Sequence, residues 1–184
     1  MAASAAALAC GGVLATPALA ASGDLTFAGC IGSAAGCTPL GSLAGADSSA
    51  VTPNGQHLYA AGFVAGAVSH FKIDPSGNLI FAGCIGSSAG CTPLGSLPGA
   101  DGLAVTPNGQ HLYAAAEFGG GAVSHFKIDP AGNLIFAGCI GGVAGCTPLG
   151  SLAGAASVAV TPNGQHLYAA AGFANAVSHF TIAP

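Results

Sequence analysis

One ten-residue phrase, Thr-Pro-Asn-Gly-Gln-His-Leu-Tyr-Ala-Ala, occurs three times in this chain, at Thr52–Ala61, Thr106–Ala115 and Thr161–Ala170. Two further phrases travel with it. Phe-Ala-Gly-Cys-Ile-Gly stands at Phe27–Gly32, Phe81–Gly86 and Phe136–Gly141, and Ala-Val-Ser-His-Phe starts at Ala67, Ala122 and Ala176. Repetition on this scale restricts the fold severely. Each unit has an apolar face that it cannot bury alone, so neighbouring units must stack. The spacing is 54 residues from Thr52 to Thr106 and 55 from Thr106 to Thr161. The extra residue falls in Gly119-Gly120-Gly121, where a loop absorbs an insertion that would throw a strand out of register.

The middle repeat contains the parts of four short antiparallel strands. Leu103-Ala104-Val105 is an apolar run, and Pro107-Asn108-Gly109 has turn chemistry, with Asn-Gly tolerating positive φ. His111 to Ala115 reads as the return strand and Glu117 to Gly121 as a loop. Ala122 to Ile128 carries the β-branched and aromatic residues of a third strand. Asp129-Pro130-Ala131-Gly132-Asn133 is a second tight turn, and Leu134 to Ile140 the fourth strand. No window after the first 22 residues holds a long 3.6-residue apolar period with caps, so helix is not expected there. Four strands every 50 or so residues describe a propeller blade. The expected fold is therefore all-β, a partial β-propeller of about three four-stranded blades, with a β-solenoid as the remaining option.

Composition excludes some functions. Charged residues are 4% of the 184, and Lys72 and Lys127 are the only Lys or Arg. A nucleic-acid reader needs a basic stripe for phosphates, and this chain has none to offer. The formal net charge of −4 is too small to imply a cationic partner. So little charge gives poor colloidal protection and favours self-association.

Residues 1–21 differ from the array that follows, 22–184. Ala, Leu, Gly and Val dominate, no charge precedes Asp24, and Ala18-Leu19-Ala20 matches an A-x-A cleavage pattern. The stretch reads as a signal peptide, although it lacks a charged n-region. A secreted or periplasmic protein with no stable membrane span after cleavage is then expected. An Ala-rich retained anchor, or a lipoprotein site at Cys10, are the alternatives.

The segment Val-Thr-Pro-Asn-Gly-Gln-His-Leu-Tyr-Ala-Ala, followed by Ala-Val-Ser-His-Phe-Lys-Ile-Asp, resembles the YVTN-type repeat of lactonase-like seven-bladed β-propellers. In that family the segment commonly reads as a Ser-Pro-Asp-Gly turn and a Tyr-Val-Ala strand. The resemblance covers essentially everything after residue 21. It implies a propeller scaffold and, more remotely, a hydrolase of the 6-phosphogluconolactonase type.

Phased as strands, the repeats run over about 25–78, 79–133 and 134–184. The array opens with a fourth strand, Leu25 to Ile31, and closes with a third, Ala176 to Ile182. Three blades are too few for a ring, since propellers use about four to eight. Two chains could complete a six-bladed homodimer, each lending its opening strand to the other's last blade. Alternatively the chain is a piece of a longer propeller.

Six cysteines follow the leader as three C-x₆-C pairs, Cys30/Cys37, Cys84/Cys91 and Cys139/Cys146. Repeat-locked pairs in a secreted chain point to three local disulfides. Metal binding is the alternative, but the spacing departs from the C-x₂₋₄-C of zinc sites. No metal and no cofactor is expected.

Asp47 and Asp101 are the candidate ligand-binding residues. Both stand in Gly-Ala-Asp just before the first strand, which in propellers enters near the central channel; Ala156 takes that place in the third repeat. Carboxylates there bind a cation or polarise a substrate; the competing reading is a turn-capping Asp. Glu117, the sole Glu, reads as a solvated loop residue. His57, His111 and His166 follow the Asn-Gly turn and read as solvent-facing; His70, His125 and His179 alternate with valines and point between blades. Both sets read as scaffold rather than as a metal ring. Neighbouring residues on a strand face opposite ways, so Ser69, Ser124 and Ser178 make no nucleophile–base pair with those histidines. There is no phosphate-cradling loop and no G-x-S-x-G elbow. Near-identical repeats supply the same few residues again and again, which favours a binding or assembly scaffold over an asymmetric active site. The lactonase-like alternative rests on the family resemblance, and it would use Asp47, Asp101 and nearby His.

Overall fold

A computed structural model describes residues 25–184. The expected leader, residues 1–21, lies outside the described residues. The rest is an arc of three β-sheets, each a blade of a partial propeller. The first blade comprises β1 (Ala46–Val51), β2 (His57–Gly62), β3 (Ala67–Ile73) and β4 (Leu79–Gly86), with a two-residue parallel addition, β5 (Thr92–Pro93). The second holds β6 (Ala100–Val105), β7 (His111–Ala116), β8 (Ala122–Ile128) and β9 (Leu134–Gly141). The third has β10 (Ala155–Val160), β11 (His166–Ala171) and β12 (Ala176–Thr181). Within each blade, apart from β5, consecutive strands pair antiparallel. Two single 3-10 turns, Gly41–Leu43 and Gly150–Leu152, were not anticipated from periodicity. Three residues are too few for a helical period to be visible.

Local chemistry explains why the strands turn where they do. In the β1–β2 hairpin Thr52 Oγ1 donates to Asn54 Oδ1 at 2.6 Å and accepts from the His57 amide at 3.1 Å. Gly55 alone takes the positive φ, +70°. In the outer hairpin Asp74 Oδ1 accepts from the amides of Ser76 and Asn78, each at 2.8 Å. The side-chain and backbone donors of Asn78 hold the Asp74 carboxyl below its usual range. Asp129 repeats the arrangement with Asn133.

Two apolar seams join the blades. Tyr59, Ala61 and Val68 of the first blade pack on Leu112, Ala114 and Phe126 of the second. Tyr113, Ala115 and Val123 of the second pack in the same way on Leu167 and Ala169 of the third, with Phe180 against the cluster. Each blade thus has an outgoing face and an incoming face. The small alanines let the sheets approach, and the aromatics fill the remaining depth. Serine pairs brace the blades from within: Ser42 and Ser69 share a hydrogen bond of 2.7 Å between hydroxyls, as do Ser96 with Ser124 and Ser151 with Ser178.

One expectation fails. Leu25 to Ile31 forms no strand apart from a single bridge of Ile31 to Thr38. Strand geometry needs a neighbour for its backbone groups, and this segment has none among the described residues. Leu25 is fully exposed and Phe27 is 80% exposed.

The six cysteines pair locally as expected, Cys30–Cys37, Cys84–Cys91 and Cys139–Cys146, with Cα atoms 4.7–4.8 Å apart. Each clip closes the loop that carries the chain from an outer strand to the next inner one. Three such bonds indicate an oxidising compartment. Among the described residues no helix is long and apolar enough to cross a membrane.

Candidate functional site

The innermost strands β1, β6 and β10 are next to one another where the blades converge. They approach closely: a Cβ on Gly102 would lie 2.7 Å from the Ala156 carbonyl oxygen and the Ser157 Cα. The Ser48 hydroxyl accepts a hydrogen bond from the Leu103 amide at 3.2 Å and ties β1 to β6.

Each inner strand begins with a β-bulge. The ladder of β1 on β2 shifts between Ala46 and Ser48, that of β6 on β7 between Ala100 and Leu103, and that of β10 on β11 between Ala155 and Ser157. The residues inside the irregularities are Asp47, Asp101 with Gly102, and Ala156. A bulge frees one residue from the ladder and re-aims its side chain, and bulges are common beside active sites. The two aspartates therefore lie within the inner strands rather than just before them.

The structure brings these carboxyls together. Asp47 and Asp101 occupy matching bulges on the adjacent strands β1 and β6, near enough for the Asp47 charge to act on Asp101. The Asp101 carboxyl is pushed above the usual carboxylate range, first by burial, then by the charges of Asp47 and Glu117. The nearby carboxylate charge thus favours the protonated form of Asp101. Glu117, which reads from the sequence as a solvated loop residue, is near enough for its charge to act on Asp101. Its loop is fastened to the same end of the blade, with the Glu117 amide donating to Gly99 O at 2.9 Å and the Phe118 amide to Pro98 O at 3.0 Å. Phe118 meets Phe63 edge-on at 5.0 Å between ring centres, so an aromatic pair belongs to the loops at this end.

The histidines are elsewhere. His57 opens β2, while Gly62 at its far end pairs with Ala46 beside Asp47. Five strand steps separate these ends by about 17 Å, so no imidazole joins the carboxyl pair. Instead the histidines bond to one another inside each blade. His57 Nδ1 and His70 Nε2 share a hydrogen bond of 3.0 Å, His111 and His125 one of 2.9 Å, and His166 and His179 one of 3.0 Å. Tyr59 stacks on His70, Tyr113 on His125 and Tyr168 on His179. His57 is buried, against the expectation of a solvent-facing shoulder. The cause is a neighbour: a Cβ on Gly132 would collide with His57 Nδ1 and come within 2.6 Å of His70 Nε2. The outer turn of the second blade is thus seated on the imidazole pair of the first, and Tyr59 Oη donates to Gly132 O at 2.7 Å. His70 does point between blades. Among the described residues no group of three or more His, Cys, Asp or Glu is placed to hold a metal ion.

Comparison with solved structures agrees with the architecture. The chain is similar to a candidate 6-phosphogluconolactonase from Bacteroides uniformis, with TM-score 0.63 and 23% identity over 78% of this chain and 38% of that one. A counterpart from Bacteroides fragilis gives TM-score 0.62 and 20% identity over 78% and 36%. The periplasmic gluconolactonase of Pseudomonas aeruginosa gives 0.60 and 19% over 80% and 38%. These neighbours are lactonase-like propeller proteins, and at such identities they establish the fold. The chain spans less than two-fifths of their length. No protein-family model matches it, and no curated protein sequence matches it.

Proposed function

We propose that this chain is a secreted or periplasmic propeller segment with lactonase-type hydrolytic chemistry at the Asp47–Asp101 pair. The observation that carries the reading is the placement of Asp47 and Asp101 in matching bulges of the neighbouring inner strands β1 and β6, where burial and the Asp47 charge raise the Asp101 carboxyl. Propeller neighbours named as gluconolactonases support it. The objection that repeats deliver only copies of the same residue loses force here, because a carboxyl dyad is built from two copies of one residue. The third repeat, with Ala156, keeps the dyad from becoming a triad.

A carboxylate beside a carboxylic acid is suited to opening a cyclic ester. Asp47 as carboxylate takes a proton from a water whose oxygen bonds to the lactone carbonyl carbon. As the ring C–O bond breaks, Asp101 gives its proton to the departing ring oxygen. The product is the open hydroxy acid. The proton gained by Asp47 passes back to Asp101, restoring the starting state.

Hydrolysis of a panel of sugar lactones by the full chain, followed as acid release, tests this. Asp47→Ala and Asp101→Asn are each expected to lower kcat by 10²-fold or more. Absence of lactone hydrolysis in the parent chain, or full activity in both variants, would remove the reading.

A further inference from the structure

The three fourth-strand segments Leu25–Gly32, Leu79–Gly86 and Leu134–Gly141 are identical except at one position, where Thr26 replaces Ile80 and Ile135. The three third-strand segments, Ala67–Ile73, Ala122–Ile128 and Ala176–Ile182, are also identical except at one position, where Thr181 replaces Lys72 and Lys127. In both complete blades these two positions are cross-strand partners: Lys72 faces Ile80, and Lys127 faces Ile135. The two departures therefore match. The blade whose third strand carries Thr181 calls for a fourth strand carrying threonine at the facing position, and Thr26 is that residue. Two threonines opposite one another form a favourable pair, where a lysine facing threonine would lose its apolar neighbour.

Both partners are free among the described residues. The outer edge of β12 pairs with no strand, and residues 25–30 are exposed or half-buried with no ladder. They cannot meet within one chain. The segment Leu25–Gly32 leads through the Cys30–Cys37 clip into β1, as β4 leads through Cys84–Cys91 to β6, so it belongs to the blade preceding the first. The faces agree. The third blade's outgoing face is uncovered, with Tyr168 40% and Val177 70% exposed, whereas Tyr59 and Val68 are fully buried at the same positions. At the other end, Leu58, Ala60, Phe71 and Ile31 line an open cavity of about 230 Å³ on the first blade's incoming face. The seams inside the chain join these same two faces.

We propose that the strand Leu25–Gly32 of one copy pairs with β12 of a second copy, and reciprocally, so that two arcs close into one six-bladed ring. The register follows from the two complete blades. Thr26 faces Thr181, Phe27 faces Phe180, and Ile31 faces Val177. The turn Asp74–Asn78 of each copy seats on the other's His166–His179 pair, as the Gly132 turn seats on His57 and His70.

The mass of the unaltered full chain in solution, by light scattering across a concentration series, is the first test, and two chains per particle are expected. The double variant Thr26→Cys, Thr181→Cys is the second. Oxidation should give a covalent dimer on a non-reducing gel, with peptide mapping showing a 26–181 bond between copies beside the three native clips. The off-register pair Thr26→Cys, Val177→Cys should give none. A single-chain mass at every concentration overturns the proposal, as does a 26–181 bond closed within one chain. If the cysteine variants misfold, the mass of the unaltered chain decides alone.

Discussion

The hydroxyl of Tyr59 reaches 73 residues along the chain to donate a 2.7 Å hydrogen bond to the carbonyl of Gly132. Both ends are buried in the seam between the first and second blades, so the bond joins two structural units rather than two strands of one. Tyr59→Phe leaves the Gly132 carbonyl without this donor and should cost about 1–2 kcal/mol, read as a lower urea midpoint with unchanged m.

Gly132 has no room for a side chain. Its φ of +83° already disfavours an L-residue, and an added Cβ would strike His57. Gly132→Ala should therefore destabilise by about 3 kcal/mol, the sum of backbone strain and forced displacement of the imidazoles. Gly55→Ala is the control: its φ is +70° but nothing lies within 4 Å of the new atom. A cost of about 1 kcal/mol is expected there. Thermal unfolding of the two variants separates strain from collision.

The imidazole pairs make stability depend on acidity. Burial, then the His57 and Lys72 charges, push His70 down to about 4, and burial followed by Lys72 lowers His57. Burial is likewise the leading cause for His111 and His125. Each of these groups binds a proton less readily when folded than when unfolded. Their contribution is fully present above pH 6.5 and is lost as pH falls below it, for His70 down towards about 4. His70 alone should lose about 2 kcal/mol over that window, after discounting for screening near the outer hairpin. Denaturant midpoints from pH 7.5 to 4 should trace the fall, and His70→Gln should flatten it.

Asp101 works in the opposite sense. Its carboxyl is raised, so the stability linked to it is present in acid and lost as pH climbs through its folded-state value. Asp101→Asn should make the chain slightly more stable at pH 7, by less than about 1 kcal/mol, while lowering lactone hydrolysis. Equal melting temperatures for the two proteins from pH 4 to 8 would contradict this.

Removing one clip with Cys84→Ser and Cys91→Ser should cost about 2–3 kcal/mol in the chain-entropy model. Chemical denaturation of oxidised parent and variant measures it, and addition of reductant should lower the parent by more than the variant.

Strand positions were legible because Thr-Pro-Asn-Gly and Asp-Pro-x-Gly-Asn turns bracket short runs, and each turn residue has one clear physical reason to be there. Asp47 and Asp101 were legible as candidates from their place ahead of the inner strands. Their nearness was not, because it is made between blades by bulges that leave no trace in an alternating pattern. The histidines show the same limit. His57 and Tyr59 are two apart on one strand and share a face, and pairing of Tyr59 with His70 brings the second imidazole beside both. That much follows once the hairpin register is known. The burial of His57 depends on Gly132, far along the chain, and no local signal reports it. The opening strand was misjudged for the opposite reason: its sequence is a strand's, but a ladder takes two.

The locality of the cysteine clips bears on how such a chain reaches its native state. With three near-identical units, a strand can easily join the wrong sheet while folding, and long-range crosslinks would freeze that mistake. A bond that spans seven positions in the same loop forms equally well whichever sheet the neighbouring strands have joined. Clips of this span therefore fasten the connectors without fixing which sheet their flanking strands join.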